Sequence, residues 1–122
     1  MKEKYPKEAE GLEGAINRTL PLGWDADLDD LRNIDGPIAT RAASGKVLNA
    51  IAAKVNDLIG GSADLAPSNK TYIDACHEFQ KDTYDGRNIR FGVREHAMGA
   101  ICNGMALHGG VIPFCGTFLT FS

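Results

Sequence analysis

Cysteine is scarce in this 122-residue chain, with only Cys76, Cys102 and Cys115. The count is odd and no CxxC pair occurs, so neither a disulfide framework nor a zinc site is indicated. A reducing cytoplasm fits such a sequence best. Runs of basic side chains are also lacking. Thirteen Lys and Arg against sixteen Asp and Glu leave a net charge of -3, with no electrostatic footprint for nucleic acid or a membrane surface. Every apolar stretch is interrupted by Gly, Asn, His or Pro, which excludes a transmembrane span. The opening MKEKYPKEAEG is charged and has no apolar centre, so it is no secretory signal. The loop GGSADLAPSN lacks the GK[ST] ending of a phosphate-binding P-loop. No GxSxG elbow occurs, which disfavours a serine hydrolase. His77 and His108 have no metal-ligand spacing and are expected at the surface.

The length allows one domain. A hydrophobic content of 43% and a charged content of 24% are ordinary for a globular protein. Residues 1–39 read as a linker or N-terminal arm, acidic and holding Pro6, Pro21 and Pro37. Within them PKEAEGLEGAINRTL predicts a short helix, with Leu12, Ile16 and Leu20 at four-residue spacing. GWDADLDDLRNIDGP reads as an exposed connection.

Residues 40–122 form the folded unit. TRAASGKVLNAIAAKVNDL places Val47, Ile51, Val55 and Leu58 on one helical face, with Leu48 and Ala52 beside them. LIGG predicts a buried strand, followed by a loop. A short helix is expected near TYIDACHEF, inside a polar connection long enough to suggest function. NIRFG is a second strand. REHAMGAICNGMALH is a helix with Met98, Ile101, Cys102 and Met105 toward a core. Its Gly99 and Gly104 each cost about 1 kcal/mol relative to Ala, which suggests close packing on a neighbour. GGVIPFCGT is a third strand and FLTFS the first turn of a helix. Helices alternating with strands imply an α/β fold, a mainly parallel sheet flanked by helices. Ligands of such folds bind beyond the carboxyl ends of the strands. Gly61–Asn69, Gly92–His96 and Gly116–Phe121 should therefore converge on one edge.

Each candidate residue has a structural reading beside a functional one. Glu95 opens a predicted helix, where the dipole favours a carboxylate. On pattern alone a capping acid, paired with Arg94, is favoured over a proton-sharing carboxyl at a ligand nitrogen. Burial would raise its pKa and the helix end would lower it. His96 follows Glu95 on the helix and so does not face it. It is read as structural, and Arg94 as holding the loop through backbone carbonyls. Ser62, Asp64, Ser68 and Asn69 could serve a ligand loop or a turn that bonds its own backbone. Arg41 reads as a surface arginine, with a phosphate contact as the alternative. Phe114, Phe118 and Phe121 are core residues by default, or a platform for a flat heterocycle.

Taken together, LIGGSADLAPSN, IRFGVREHAMGAICNGMALHGG and PFCGTFLTF resemble transketolase, a thiamine diphosphate enzyme, over about residues 40–122. The three motifs keep order and spacing, and the arm before Thr40 is similar more loosely. The resemblance implies a partial thiamine diphosphate-binding domain, the part that holds the pyrimidine. It implies that Glu95 bonds the aminopyrimidine and promotes its imino tautomer. Phe118 and Phe121 would pack on that ring, and Asp64 would lie near the cofactor and a subunit interface. Arg41 and Ser68 would bind the substrate phosphate. The reaction would move a two-carbon ketol unit between sugar phosphates, in the pentose phosphate pathway. The cofactor would carry a divalent cation such as magnesium, whose ligands are not in this chain. The remaining domains and a second subunit of a homodimer would be needed. The GDG motif for the diphosphate, a later histidine motif and the C-terminal domain are absent. The chain alone is therefore expected to be inactive, a fragment of low stability with an unpaired sheet edge. A non-catalytic binding or assembly module and a deoxyxylulose phosphate synthase-like enzyme are the alternatives; the latter is not expected to match GSADLAPSN.

Overall fold

A computed structural model describes residues 2–32 and 36–122. The part of the exposed connection expected at residues 33–35 lies outside them. Helix α1 spans Pro6–Asn17. Proline suits its first position, where no intrahelical N–H bond is needed. Two short 3-10 turns follow, Ala26–Leu28 and Asp30–Arg32. Then come helix α2 (Thr40–Lys54), strand β1 (Leu58–Ser62), the one-turn helix α3 (Ala66–Asn69), strand β2 (Asn88–Arg90), helix α4 (Glu95–His108) and strand β3 (Ile112–Gly116). A last 3-10 turn, Leu119–Phe121, stands where a helical turn was expected.

The sheet is parallel throughout, in the order β2-β1-β3. Strand alternation divides its side chains between two faces. On one face Leu58 joins Ala52, Val55 and Ile73 in a buried cluster, with Trp24, Leu48, Ile51, Cys76 and Phe114 packed around it. On the other, Ala63 and Phe91 pack against Met98 and Cys102 of α4, beside Ile89. The flanked parallel sheet read from the sequence is therefore the observed architecture. Three local expectations fail. Val47 and Ile101 turn outward, 37% and 45% exposed. No neighbour lies within 4 Å of where a Cβ on Gly99 or Gly104 would stand, so these glycines are not sites of close packing among the described residues. No helix forms at TYIDACHEF.

That last failure has an identifiable cause. Asn88, 2% exposed, accepts from Ile73 N and donates to the carbonyls of Ile73 and Cys76, all within 2.9 Å. Asn49 of α2 bonds Tyr72 O and Asp74 N. The backbone groups that a helix needs are thus taken by two distant amides, and the segment runs as a pinned loop. Two arginines finish helices in the same long-range way. Arg87 donates to Val55 O and Ala52 O at 2.8 Å, closing α2. Arg18 donates to Ala106 O at 3.1 Å, tying the N-terminal arm to the end of α4. Cations at helix C-termini satisfy orphan carbonyls and the dipole together.

The loop is fastened to β2 by an ion pair. Arg90 Nη2 and Nε reach Glu78 Oε1 at 2.6 and 3.0 Å. The Arg90 hydrogen bond, and then its charge, hold the Glu78 carboxyl below its usual range. A carboxylate lowered in the folded state stabilises above its unfolded pKa. That contribution disappears as pH falls through the lowered folded value. In thermal melts over a descending pH series, the gap between the parent chain and Glu78→Gln is expected to close in acid. A gap independent of pH would show that the pair does not act through charge. The pair is solvent-accessible, so the gap is small.

Candidate functional site

The carboxyl ends of all three strands lie side by side. Ser62 is in register with Arg90 on one flank and Gly116 on the other. The segments Gly61–Asn69, Gly92–His96 and Gly116–Phe121 continue from these ends. A polar network locks the first to the third. Ser62 Oγ donates to Gly116 O at 2.8 Å, and Asn69 Nδ2 bonds both Ser62 Oγ and Gly116 O. Thr71 Oγ1 donates to Asn69 Oδ1 at 2.6 Å. A Cβ on Gly116 would stand 2.6 Å from Thr71 Cγ2, so glycine is needed there for the close approach. Ser62 and Asn69 thus hold the edge together. They neither bond their own backbone as a simple turn would nor remain free for a ligand.

Between β2 and α4 the chain turns sharply at Gly92, whose φ of +70° is the left-handed region open to glycine. The turn sets Glu95 as the first residue of α4, half-buried. Glu95 stands in the first turn of α4, where the dipole favours a carboxylate as the structural reading has it; that reading also allowed a cap bond or a pair with Arg94. Among the described residues neither is made: α4 has no side-chain cap bond, and no hydrogen bond or ion pair engages the Glu95 carboxylate. The Arg94 guanidinium forms none either. It folds back over Gly92, 3.4 Å from the place of a Cβ there, and the expected bonds to backbone carbonyls are not made among the described residues. His96 is exposed one residue further on. His77 and His108 are exposed as expected.

Across β1 from this turn, the three phenylalanines part company. Phe114 lies on the α2 face and is packed against the core. Phe118 is half-buried in extended backbone just beyond β3, and Phe121 is 52% exposed in the 3-10 turn. Between β3 and Phe118 stands Thr117, whose Oγ1 is buried and has no hydrogen-bond partner among the described residues. Buried polar groups are nearly always satisfied. Thr117 is an exception to that rule, and it stands at the carboxyl edge of the sheet. Thr117 stands inside TFLTF, but its hydroxyl had no signal in the sequence, because only packing makes it an orphan.

Asp64 is exposed with φ +62°, a conformation that Asp tolerates better than most residues. It lines a cavity of about 120 Å³ together with Ser62, Thr71, Asn88 and Arg90. Arg41 and Ser68 are both exposed, Arg41 in the first turn of α2 and Ser68 in α3. Their helices meet where Gly45 packs on Lys70. A cavity of about 760 Å³ adjoins that contact. It is lined by Ala42 and Pro67, their chain neighbours, and by Lys46, Lys70, Tyr72 and Arg90. Its cations were not among the candidates, since scattered lysines carry no spacing signal. The described residues contain no cluster of three or more His, Cys, Asp or Glu able to hold a metal. No described helix is long and apolar enough to cross a membrane.

The family model "Transketolase, pyrimidine binding domain" matches residues 36–122. The transketolase of Geobacillus stearothermophilus is 53% identical over 120 residues, which are 98% of this chain and 18% of that protein. The solved transketolase from Leishmania mexicana superposes with a TM-score of 0.90 at 43% identity, covering 98% of this chain and 18% of that one. A transketolase from Pichia stipitis in complex with sedoheptulose-7-phosphate gives a TM-score of 0.87 at 42% identity, covering 98% and 19%. The chain thus spans about a fifth of the length of these relatives.

Proposed function

Because this chain belongs to the transketolase pyrimidine-binding domain family, we propose that it serves as that portion of a transketolase. The complete enzyme would transfer a two-carbon ketol unit between sugar phosphates in the pentose phosphate pathway of the cytoplasm. One observation carries the reading: a half-buried Glu95, unpaired among the described residues, opens α4 at the same sheet edge as Phe118. The site suits the ring of thiamine diphosphate, since it offers an unpaired carboxyl, an orphan hydroxyl on Thr117 and an aromatic face.

When bound, thiamine diphosphate supplies the electron sink for carbon–carbon bond cleavage. In the proposal Glu95 shares a proton with a ring nitrogen. The N-terminus of α4 steadies negative charge on its carboxylate. Phe118 and Phe121 flank the ring and exclude water from it, and Asp64 lies at the rim. Arg41 gives the substrate phosphate a fixed cation, and Ser68 donates a hydrogen bond to it. Residues 1–39 act as the arm and residues 40–122 as the ring-binding unit. The divalent cation, magnesium in this proposal, has no ligand assigned here. The remaining domains and a second subunit complete the site.

A graft tests this. Residues 36–122 replace the matching segment of the Geobacillus stearothermophilus enzyme, and ketol transfer and thiamine diphosphate affinity are measured. Turnover within about tenfold of the parent is the expected result, as the recipient supplies the other domains. A folded graft that binds the cofactor without turnover would overturn the catalytic reading in favour of a non-catalytic module.

A further inference from the structure

We propose that Cys102 and Cys115 form a reversible intrachain disulfide that cross-links α4 to β3. Cys102 lies in the buried face of α4, with Sγ 3.9 Å from Phe114 O, the carbonyl of the residue before Cys115. Phe114 points to the α2 side, so strand alternation turns Cys115 toward α4. Its register partner on β1 is Gly61, so no side chain from β1 stands beside it on that face. Helix α4 packs directly on β3, so the two thiols share one face of the sheet. Cys76 sits on the opposite face, in the α2 cluster, with Arg87 Nε 3.1 Å from its sulfur. The fold therefore selects one pair out of three.

The thiols differ in ways that order the chemistry. Cys115 is exposed and Cys102 buried. Burial foremost, and then the neighbouring Cys115 thiol, push the Cys102 thiol up to about 11. The oxidant is a low-molecular-weight disulfide such as oxidised glutathione. The Cys115 thiolate attacks one of its sulfurs, its S–S bond breaks, and one small thiol leaves. Cys102 then gives its proton to solvent and attacks Cys115 Sγ. The mixed disulfide breaks and the second small thiol leaves. Two protein thiols are oxidised and one small disulfide is reduced to two thiols. The second step is the slow one, because little Cys102 is thiolate at neutral pH. Its rate should rise roughly tenfold per pH unit until the thiol titrates. The bridge joins the helix that begins at Glu95 to the strand that leads to Phe118. It does not depend on the family reading.

The test uses the 122-residue chain, oxidised glutathione and trypsin. No Lys or Arg follows Arg94, so one fragment, residues 95–122, carries both thiols. The expected product is that fragment lighter by two hydrogens and closed to alkylation, with Cys76 still alkylated. Chymotryptic cleavage between the two thiols then leaves the pieces joined until reduction. In denaturant the same oxidation should favour this loop over Cys76–Cys102 only about threefold, from loop closure alone. The native preference should exceed that by about tenfold or more. A native pattern equal to the denatured one overturns the proposal, whether the chain is folded or not. So does a glutathione adduct on Cys115 that persists as pH is raised. Cys102→Ser is expected to trap that adduct, whereas Cys76→Ser leaves the bridge intact.

Discussion

Gly60→Ala is expected to yield no folded protein, either as the 122-residue chain or within the graft. Gly60 lies in the middle of the central strand, with neighbours hydrogen-bonded on both sides. A Cβ there would collide with the Phe114 carbonyl of β3, and with its ring at 2.8 Å. The obstacle is mostly backbone, which no rotamer change can clear. Relief would need β1 and β3 to separate, and with them the Ser62–Gly116 and Asn69–Gly116 bonds of the ligand edge. Breaking a sheet pairing in this way belongs with the rare substitutions that cost more than about 4–5 kcal/mol. Much of a domain's stability of about 5–15 kcal/mol would be lost. Gly99→Ala is the control. It has open space around it and should leave stability unchanged or raise it by up to about 1 kcal/mol. Soluble yield and denaturant melts read both. A Gly60→Ala protein that unfolds like its parent would mean that the strands have more freedom than this packing allows.

Glu95→Gln in the graft should cut ketol transfer by about 10²–10⁴-fold, the range of a positioned proton-transfer group. Glutamine keeps the size and the hydrogen-bonding end of the side chain but cannot take up or share an acidic proton. Glu95 has no side-chain partner among the described residues, so its neutralisation loses only the helix-end interaction and should move stability by no more than about 1 kcal/mol. Activity and stability would thus separate, as they would not for a helix-capping acid. Arg94→Ala provides the comparison, since its guanidinium is equally unbonded and carries no proposed chemistry. Steady-state kinetics beside thermal melts decide the matter. A fall of less than tenfold for Glu95→Gln would remove Glu95 from the proton-sharing role.

The layers of the fold could be read from the chain because they rest on local periodicity. LIGG, NIRFG and VIPFCG are short apolar runs set between helical patterns, and strands in that alternation pair in parallel. Parallel pairing brings all carboxyl ends to one edge, and the order of the motifs places Glu95, Asp64 and Phe118 there. Face assignments were less secure. Val47 and Ile101 fit a helical stripe as well as their buried neighbours do, yet each helix buries a narrower face than its apolar residues could cover. Gly99 and Gly104 look the same in sequence whether a helix presses on them or nothing does.

Residue types and their order determined the parallel α/β layers, the ligand edge and the set of motifs that marks the family. Tertiary contacts alone decided what each polar residue there does. Asn88 and Asn49 hold a loop that propensity reads as helix, Arg87 closes a helix 35 residues away, and Ser62 and Asn69 are consumed in bracing the edge. Glu95 and Thr117 are left without partners among the described residues. The reason is physical: periodicity is written within a few residues, whereas a hydrogen bond is assigned by whichever groups the folded chain brings within 3 Å.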